Sequence, residues 1–219
     1  MAAAAPGQST AGPDEGKRKR MRDTTLYVVV ANYGASANDL RAAAMADHVA
    51  YLRSNAHRLR FAGPLLQDDG ETPSGSLAIL EASERGEAES YIADEAFSRA
   101  GMFDDVQIHR YVTGTGRRQF EVELDPARAL FMCRWLAEPG SALSADDVVR
   151  PPEADGVGTV EHGALVSDDA NRAIGRFSIV EAADRCQAED VVAAQVPGGL
   201  DVASRVVSRW RIGQALAGV

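Results

Sequence analysis

The chain contains itself twice, and no other feature constrains its fold as strongly. Displaced by 100 residues, the stretch Phe61 to Val112 lies over Glu161 to Ile212 without a gap. Gly63-Pro-Leu-Leu-Gln-Asp68-Asp69 falls on Gly163-Ala-Leu-Val-Ser-Asp168-Asp169, while Gly75, Glu81, Ala82, Arg85, Ala88 and Glu89 meet identical residues in the second copy. About a quarter of the aligned positions are identical, and most of the rest keep their apolar or polar character. A unit of roughly 90 residues is too long for a solenoid turn and suits a small α+β domain. One such unit has a thin core, so two in a chain of 219 residues are expected to bury a face against each other.

Composition narrows the class. Nearly half the residues are apolar and a quarter charged, as in an ordinary globular domain. No apolar run reaches the ~20 residues that span a bilayer, and the start, Met1-Ala-Ala-Ala-Ala-Pro6, lacks the layout of a secretory signal. Cys133 and Cys186 sit in apolar-periodic segments and read as buried, reduced thiols of a cytoplasmic protein. Net charge is −9, but residues 1–24, with Lys17-Arg18-Lys19-Arg20, carry +2 and leave −11 on the remainder. An acidic body with few aromatics is a poor partner for nucleic acid. The basic segment 1–24, set in Ala, Gly, Pro and Ser, reads as a disordered tail.

Periodicity then places the elements. Leu26-Tyr-Val-Val-Val-Ala31 and Ala129-Leu-Phe-Met-Cys-Arg-Trp-Leu136 are apolar runs without polar alternation, as in strands covered on both faces. Asn38 to Leu59 is helical, with Leu40, Ala43, Ala44, Val49, Tyr51 and Leu52 as its apolar stripe. Arg60 to Leu66 and Gly75 to Ala82 are strands, Ser83 to Ala93 a helix capped by Ser83, and Val106 to Val112 the closing strand. Gln119 to Leu124 reads as an extra strand in the linker. The order β-α-β-β-α-β is ferredoxin-like. Two such four-stranded antiparallel sheets, packed face to face, form an intrachain pseudo-dimeric α+β barrel. The expected divisions are 25–112 for the first domain, 113–127 for the linker and 128–214 for the second.

The first half resembles the YCII (YciI-like) family of the dimeric α+β barrel superfamily. The residues that carry the resemblance are Leu26-Tyr27-Val28-Val29, Ala46-Asp47-His48-Val49-Ala50-Tyr51-Leu52, Phe61-Ala62-Gly63-Pro64-Leu65, Gly75-Ser76, Ala93-Asp94-Glu95-Ala96-Phe97 and Ala100-Gly101. Glu95 stands where the family usually has Pro. The second half looks like a degenerate copy: Asp147 replaces His48, Ala194 replaces Asp94, and Pro151-Pro152 interrupt the matching helix.

What the resemblance implies is a site centred on His48 and Asp94. An imidazole titrates near neutral pH, and a carboxylate on one ring nitrogen fixes the tautomer and makes the other a better base. Arg60 and Arg110 are the expected partners for an enolate or carboxylate, with Asp68 as a further substrate contact. The pairs Asp68-Asp69 and Asp168-Asp169 also read as turn formers, since both copies keep them. His57 reads as helix surface, His109 as an outward strand residue, and His162 as a turn residue near the inter-domain groove. The chain shows no Gly-rich nucleotide loop and no metal constellation. The expectation is therefore an enzyme of lyase or isomerase type, using a His-Asp dyad for proton transfer on a small molecule without cofactor or metal. By resemblance, related barrels include muconolactone isomerases and a dehydrochlorinase. The second reading is a non-catalytic ligand-binding or assembly module, in which self-association matters more than turnover. A haem-binding reading, suggested by the two-unit chlorite dismutase-like barrels, would need a helical His in the second half, where His162 is the sole histidine.

Overall fold

The computed structural model describes residues 25–143, 151 and 156–217. The basic tail 1–24 and the second-half segment around Asp147 and Pro152 lie outside them. In chain order the elements are β1 (Thr25–Tyr33), α1 (Ala37–Ser54), β2 (Leu59–Leu66), β3 (Pro73–Ala82), α2 (Arg85–Asp94), α3 (Ala96–Arg99) and β4 (Phe103–Thr113). These are followed by β5 (Ala129–Ala137), β6 (Gly158–Val166), β7 (Ala173–Ala182), α4 (Arg185–Gln195) and β8 (Val202–Trp210).

All eight strands join one closed antiparallel barrel in the order β1-β3-β2-β8-β5-β7-β6-β4. Each half contributes a ferredoxin-like sheet, and the halves meet at two seams. Leu65 pairs with Trp210 at one seam and Leu165 with Tyr111 at the other. Strand alternation divides each apolar run between two cores. Val28, Val30, Phe61 and Ile79 face inward with Met132, Phe177, Ile179 and Trp210 of the second half. Tyr27, Val29 and Leu80 face outward beneath α1 and α2, and Phe131, Cys133 and Val180 beneath α4. That double burial is why these runs lack polar alternation.

The seams are pinned by reciprocal ion pairs. Arg85 donates to Asp168 at 3.0 Å and to the Ile108 carbonyl at 3.1 Å. Its counterpart Arg185 reaches Asp68, and donates to the Val207 carbonyl at 2.6 Å. The Asp69 and Asp169 carboxylates close the β2–β3 and β6–β7 turns: the Thr72 and Ser167 hydroxyls foremost, and then the backbone N–H groups of Glu71, Thr72 and Asn171, donate to them and hold both carboxyls below their usual range.

Four local expectations fail for physical reasons. Residues 119–124 carry a 3-10 turn at Gln119–Glu121 and no strand, because the segment meets the barrel through side chains and forms no backbone ladder. Instead the segment satisfies the part of β2 beyond its short pairing with β8. Gln119 Oε1 accepts from the Ala62 N–H at 2.8 Å and Arg118 donates to the Leu59 carbonyl at 3.0 Å. Helix α2 starts later than read, with Glu84 as its N-cap, while Ser83 donates twice to the Glu87 carboxylate. Cys133 is buried and its thiol is pushed up to about 12 by burial, whereas Cys186 is exposed.

His109 is the fourth. It lies on the same face of β4 as the inward Tyr111, half-buried. Burial, and then the Arg134 charge, bring its pKa from about 6.5 down to about 4. Between those values the unfolded chain binds the proton and the folded chain does not. Stability should therefore fall as pH drops from about 6.5 to about 4, by at most about 3 kcal/mol from this group. Thermal melts of wild type and His109→Asn across that window check this: the variant should show a flatter dependence.

Candidate functional site

The site is built on the outer face of the first sheet. Helix α1 crosses that face without closing on it, and leaves a cavity of about 440 Å³ between helix and strands. The cavity side of α1 carries Arg41, Met45, His48, Val49 and Leu52, one face at helical spacing. This face is rotated from the expected apolar stripe: Leu40 is among the exposed large hydrophobics. A helix face that covers a cavity can carry Arg and His, which blunts the apolar periodicity that a packed helix would show.

The floor is made of small side chains. Ala31 pairs with Ser76, and Ala62 with Ala78, across adjacent strands. The far wall comes from the other half of the molecule. After β8 the chain continues as a strap, Arg211–Leu216, laid along β2. The Arg211 N–H donates to the Pro64 carbonyl at 3.2 Å and the Gly213 N–H to the Ala62 carbonyl at 2.9 Å. Arg53 Nε donates to the Ala215 carbonyl at 3.2 Å, and Leu216 is buried in the outer core of the first half. The approach is so close that a Cβ at Gly63, within β2, would sit 2.0 Å from the Arg211 carbonyl oxygen, so only glycine fits there.

His48 projects into this cavity and meets a carboxylate, but not that of Asp94. Its Nδ1 lies 2.5 Å from Glu95 Oε1. The other carboxylate oxygen of Glu95 accepts from the backbone N–H groups of Phe97 at 2.9 Å and Ser98 at 3.3 Å, as the N-cap of α3. Glu95 is 3% exposed, so this is a buried, fully engaged carboxylate. The imidazole stacks on Phe97 at 3.8 Å between centroids, 8° from parallel. Hydrogen bonding thus assigns the Nδ1–H to Glu95 and leaves Nε2 without a protein partner among the described residues.

Asp94, the expected dyad partner, is the last residue of α2 and is exposed. The backbone explains the exchange. Glu95 has φ −68°, the angle a proline ring would impose. The chain keeps a proline-like path here while the substituted side chain supplies a carboxylate to His48.

Nor do the other expected substrate contacts line the cavity. Arg60 is held by Glu81 at 2.6 Å and by the Gly116 carbonyl. Arg110 donates to the Asp168 carbonyl at 2.8 Å, and Asp68 is exposed on the seam with Arg185. His57 is exposed, while His162 is buried in the second half. Burial raises the pKa of the Tyr91 phenol at the cavity and of the neighbouring Tyr51 phenol. No cluster of three metal-ligating side chains occurs among the described residues, and no described helix is long and apolar enough to cross a membrane.

The corresponding strand positions of the second half carry different side chains. The pair Ala31–Ser76 becomes Trp135–Arg176, and Ala62–Ala78 becomes His162–Ser178. All four are buried, Trp135 to 1% exposure. Three of the four, Trp135, Arg176 and His162, are larger than their first-half counterparts Ala31, Ser76 and Ala62.

Residues 25–112 match the family model of the YCII-related domain. Among solved structures, the chain is similar to 5-chloro-2-hydroxyhydroquinone dehydrochlorinase from Burkholderia phenoliruptrix AC1100, at 26% identity over 42% of this chain and 98% of that one, with a TM-score of 0.38. It is also similar to chlorite dismutase from Candidatus Nitrospira defluvii, at 9% identity over 90% of this chain and 95% of that one, with a TM-score of 0.53. The latter likeness spans both halves and shows the two-unit barrel. No curated protein matches the chain.

Proposed function

We propose that the YCII-related domain of this chain is the active half of a small-molecule enzyme, with His48 as general base and Glu95 as the residue that orients it. The observation that carries this reading is the His48–Glu95 hydrogen bond at the wall of an apolar cavity. A carboxylate on Nδ1 stabilises the imidazolium that forms when Nε2 takes a proton. The walls keep the reacting carbon from bulk water, where that exchange would be less favourable. Abstraction of a proton by Nε2, and its return to a neighbouring atom or loss of a leaving group, is chemistry of lyase or isomerase type. It uses no cofactor. On this reading the second half is a degenerate copy that completes the barrel and supplies the strap, the domains being 25–112 and 128–214, and the protein works in the cytoplasm on a small molecule.

The test is exchange of acidic C–H protons in D2O with a panel of small ketones, lactones and unsaturated acids, wild type against His48→Ala. Exchange that falls by about 100-fold or more in the variant, with the thermal midpoint nearly unchanged, supports the base. Binding without any His48-dependent exchange or turnover would favour the ligand-binding module instead.

A further inference from the structure

We propose that Arg41 is the anchoring residue for an anionic substrate, and that the cavity takes a small carboxylate whose charge rests on Arg41 while its reacting carbon lies at His48 Nε2. This rests on the reading of His48 as the base, and extends it to the class of molecule bound.

Arg41 and His48 are seven residues apart on α1, two turns and about 10 Å along one face. Both side chains converge on the same ring: His48 stacks on Phe97 at 3.8 Å, and the Arg41 guanidinium carbon lies 5.9 Å from the Phe97 centroid. Arg41 itself is half-buried, and its Nε is wholly buried without a hydrogen-bond partner among the described residues. A guanidinium is always charged, so a donor withdrawn from water and left unmatched is costly. Several arginines around the barrel find carboxylates, as Arg60 does on Glu81, Arg85 on Asp168 and Arg185 on Asp68, while the unmatched nitrogens of Arg134 and Arg176 lie on buried residues that line no part of this cavity. Arg41 instead faces the cavity, where its planar fork suits a carboxylate.

The charge balance of the lining points the same way. Arg41 and Arg211 stand against the one lining carboxylate, Glu95, whose oxygens are already taken by His48 and two backbone N–H groups. A chain with a net charge of −9 has therefore kept a positive cavity, which draws in anions and disfavours cations. With apolar walls such as Val29, Leu77 and Phe97 between the two polar ends, the complement is a compact molecule with one anionic end.

The experiment is an NMR titration of the full-length protein with benzoate and with benzamide, its neutral counterpart of the same shape, read on the His48 ring signals. Benzoate should bind about 10-fold or more tightly than benzamide, and Arg41→Gln should abolish that preference while benzamide binding stays within about twofold. Arg41→Lys should recover part of it. A preference that survives in Arg41→Gln, or equal binding of both probes to wild type, overturns the anionic class but leaves the cavity reading intact. Failure of both probes to move the His48 signals overturns both.

Discussion

Glu95→Gln is expected to cut turnover by about 100-fold or more, and Asp94→Asn to leave it unchanged. The asymmetry follows from what each carboxylate touches. Glu95 accepts from His48 Nδ1 and caps α3 through Phe97 and Ser98, whereas Asp94 is exposed at the end of α2. A glutamine can still accept from those two backbone groups, so the cap loses at most about 1 kcal/mol. Its amide nitrogen, however, is a donor, and turned towards Nδ1 it favours the tautomer that carries the proton on Nε2. The nitrogen facing the cavity then has no lone pair to offer. Rates and 15N shifts of the His48 ring, measured together, separate this from simple destabilisation. The tautomer should change in Glu95→Gln and not in Asp94→Asn. Equal losses of activity in the two variants would return the orienting role to Asp94.

The barrel was legible because two long-range regularities encode it: the exact-length repeat, and apolar runs too continuous for a sheet with one wet face. The sequence placed His48 on α1 within the family-like segment, and that histidine lines the cavity. Its partner was not legible, because the neighbouring positions 94 and 95 are both acidic and only the turn from α2 into α3 decides which one points inward. Arg60, Arg110 and Asp68 lie away from the cavity for a related reason. Their chemistry suits a substrate, yet in this fold it serves the contacts around the barrel, and charge alone does not distinguish a cleft from an interface. Arg41 and the strap were silent. The strap reaches the cavity from 150 residues away along the chain, through close backbone approach at Gly63, which leaves no periodic trace beyond a glycine. The change of side chains on the matching surface of the second half was half legible: His162 against Ala62 was visible in the repeat, but the pairing of Trp135 with Arg176 over the same surface needed the strand register.

The first half expressed alone, as residues 25–116, should not exist as a stable monomer. Its inward face presents Leu26, Val28, Val30, Phe61, Leu65, Leu77, Ile79 and Tyr111, all buried against the other half in the intact barrel. At about 1.5–3 kcal/mol for each side chain returned to water, the loss is on the order of 10–20 kcal/mol. That matches or exceeds the ~5–15 kcal/mol that holds a domain folded. Two outcomes remain open to the fragment: it unfolds, or it pairs with a second copy. Pairing is favoured by the pseudo-symmetry of the seams. In the intact chain the segment after β4 already repeats the strap contact, with the Gly114 N–H donating to the His162 carbonyl at 2.7 Å and a Cβ at Gly163 falling 2.1 Å from the Val112 oxygen. In a homodimer that same segment of each copy would lie along β2 of the other, against Gly63, and wall off two cavities in place of one. Light scattering and concentration-dependent melting distinguish these states, and a dimer should bind two equivalents of ligand where the intact chain binds one. A cooperative, concentration-independent melt from a monomeric fragment would show that the first half needs no partner, and the pseudo-dimer would then be an arrangement of two self-sufficient domains.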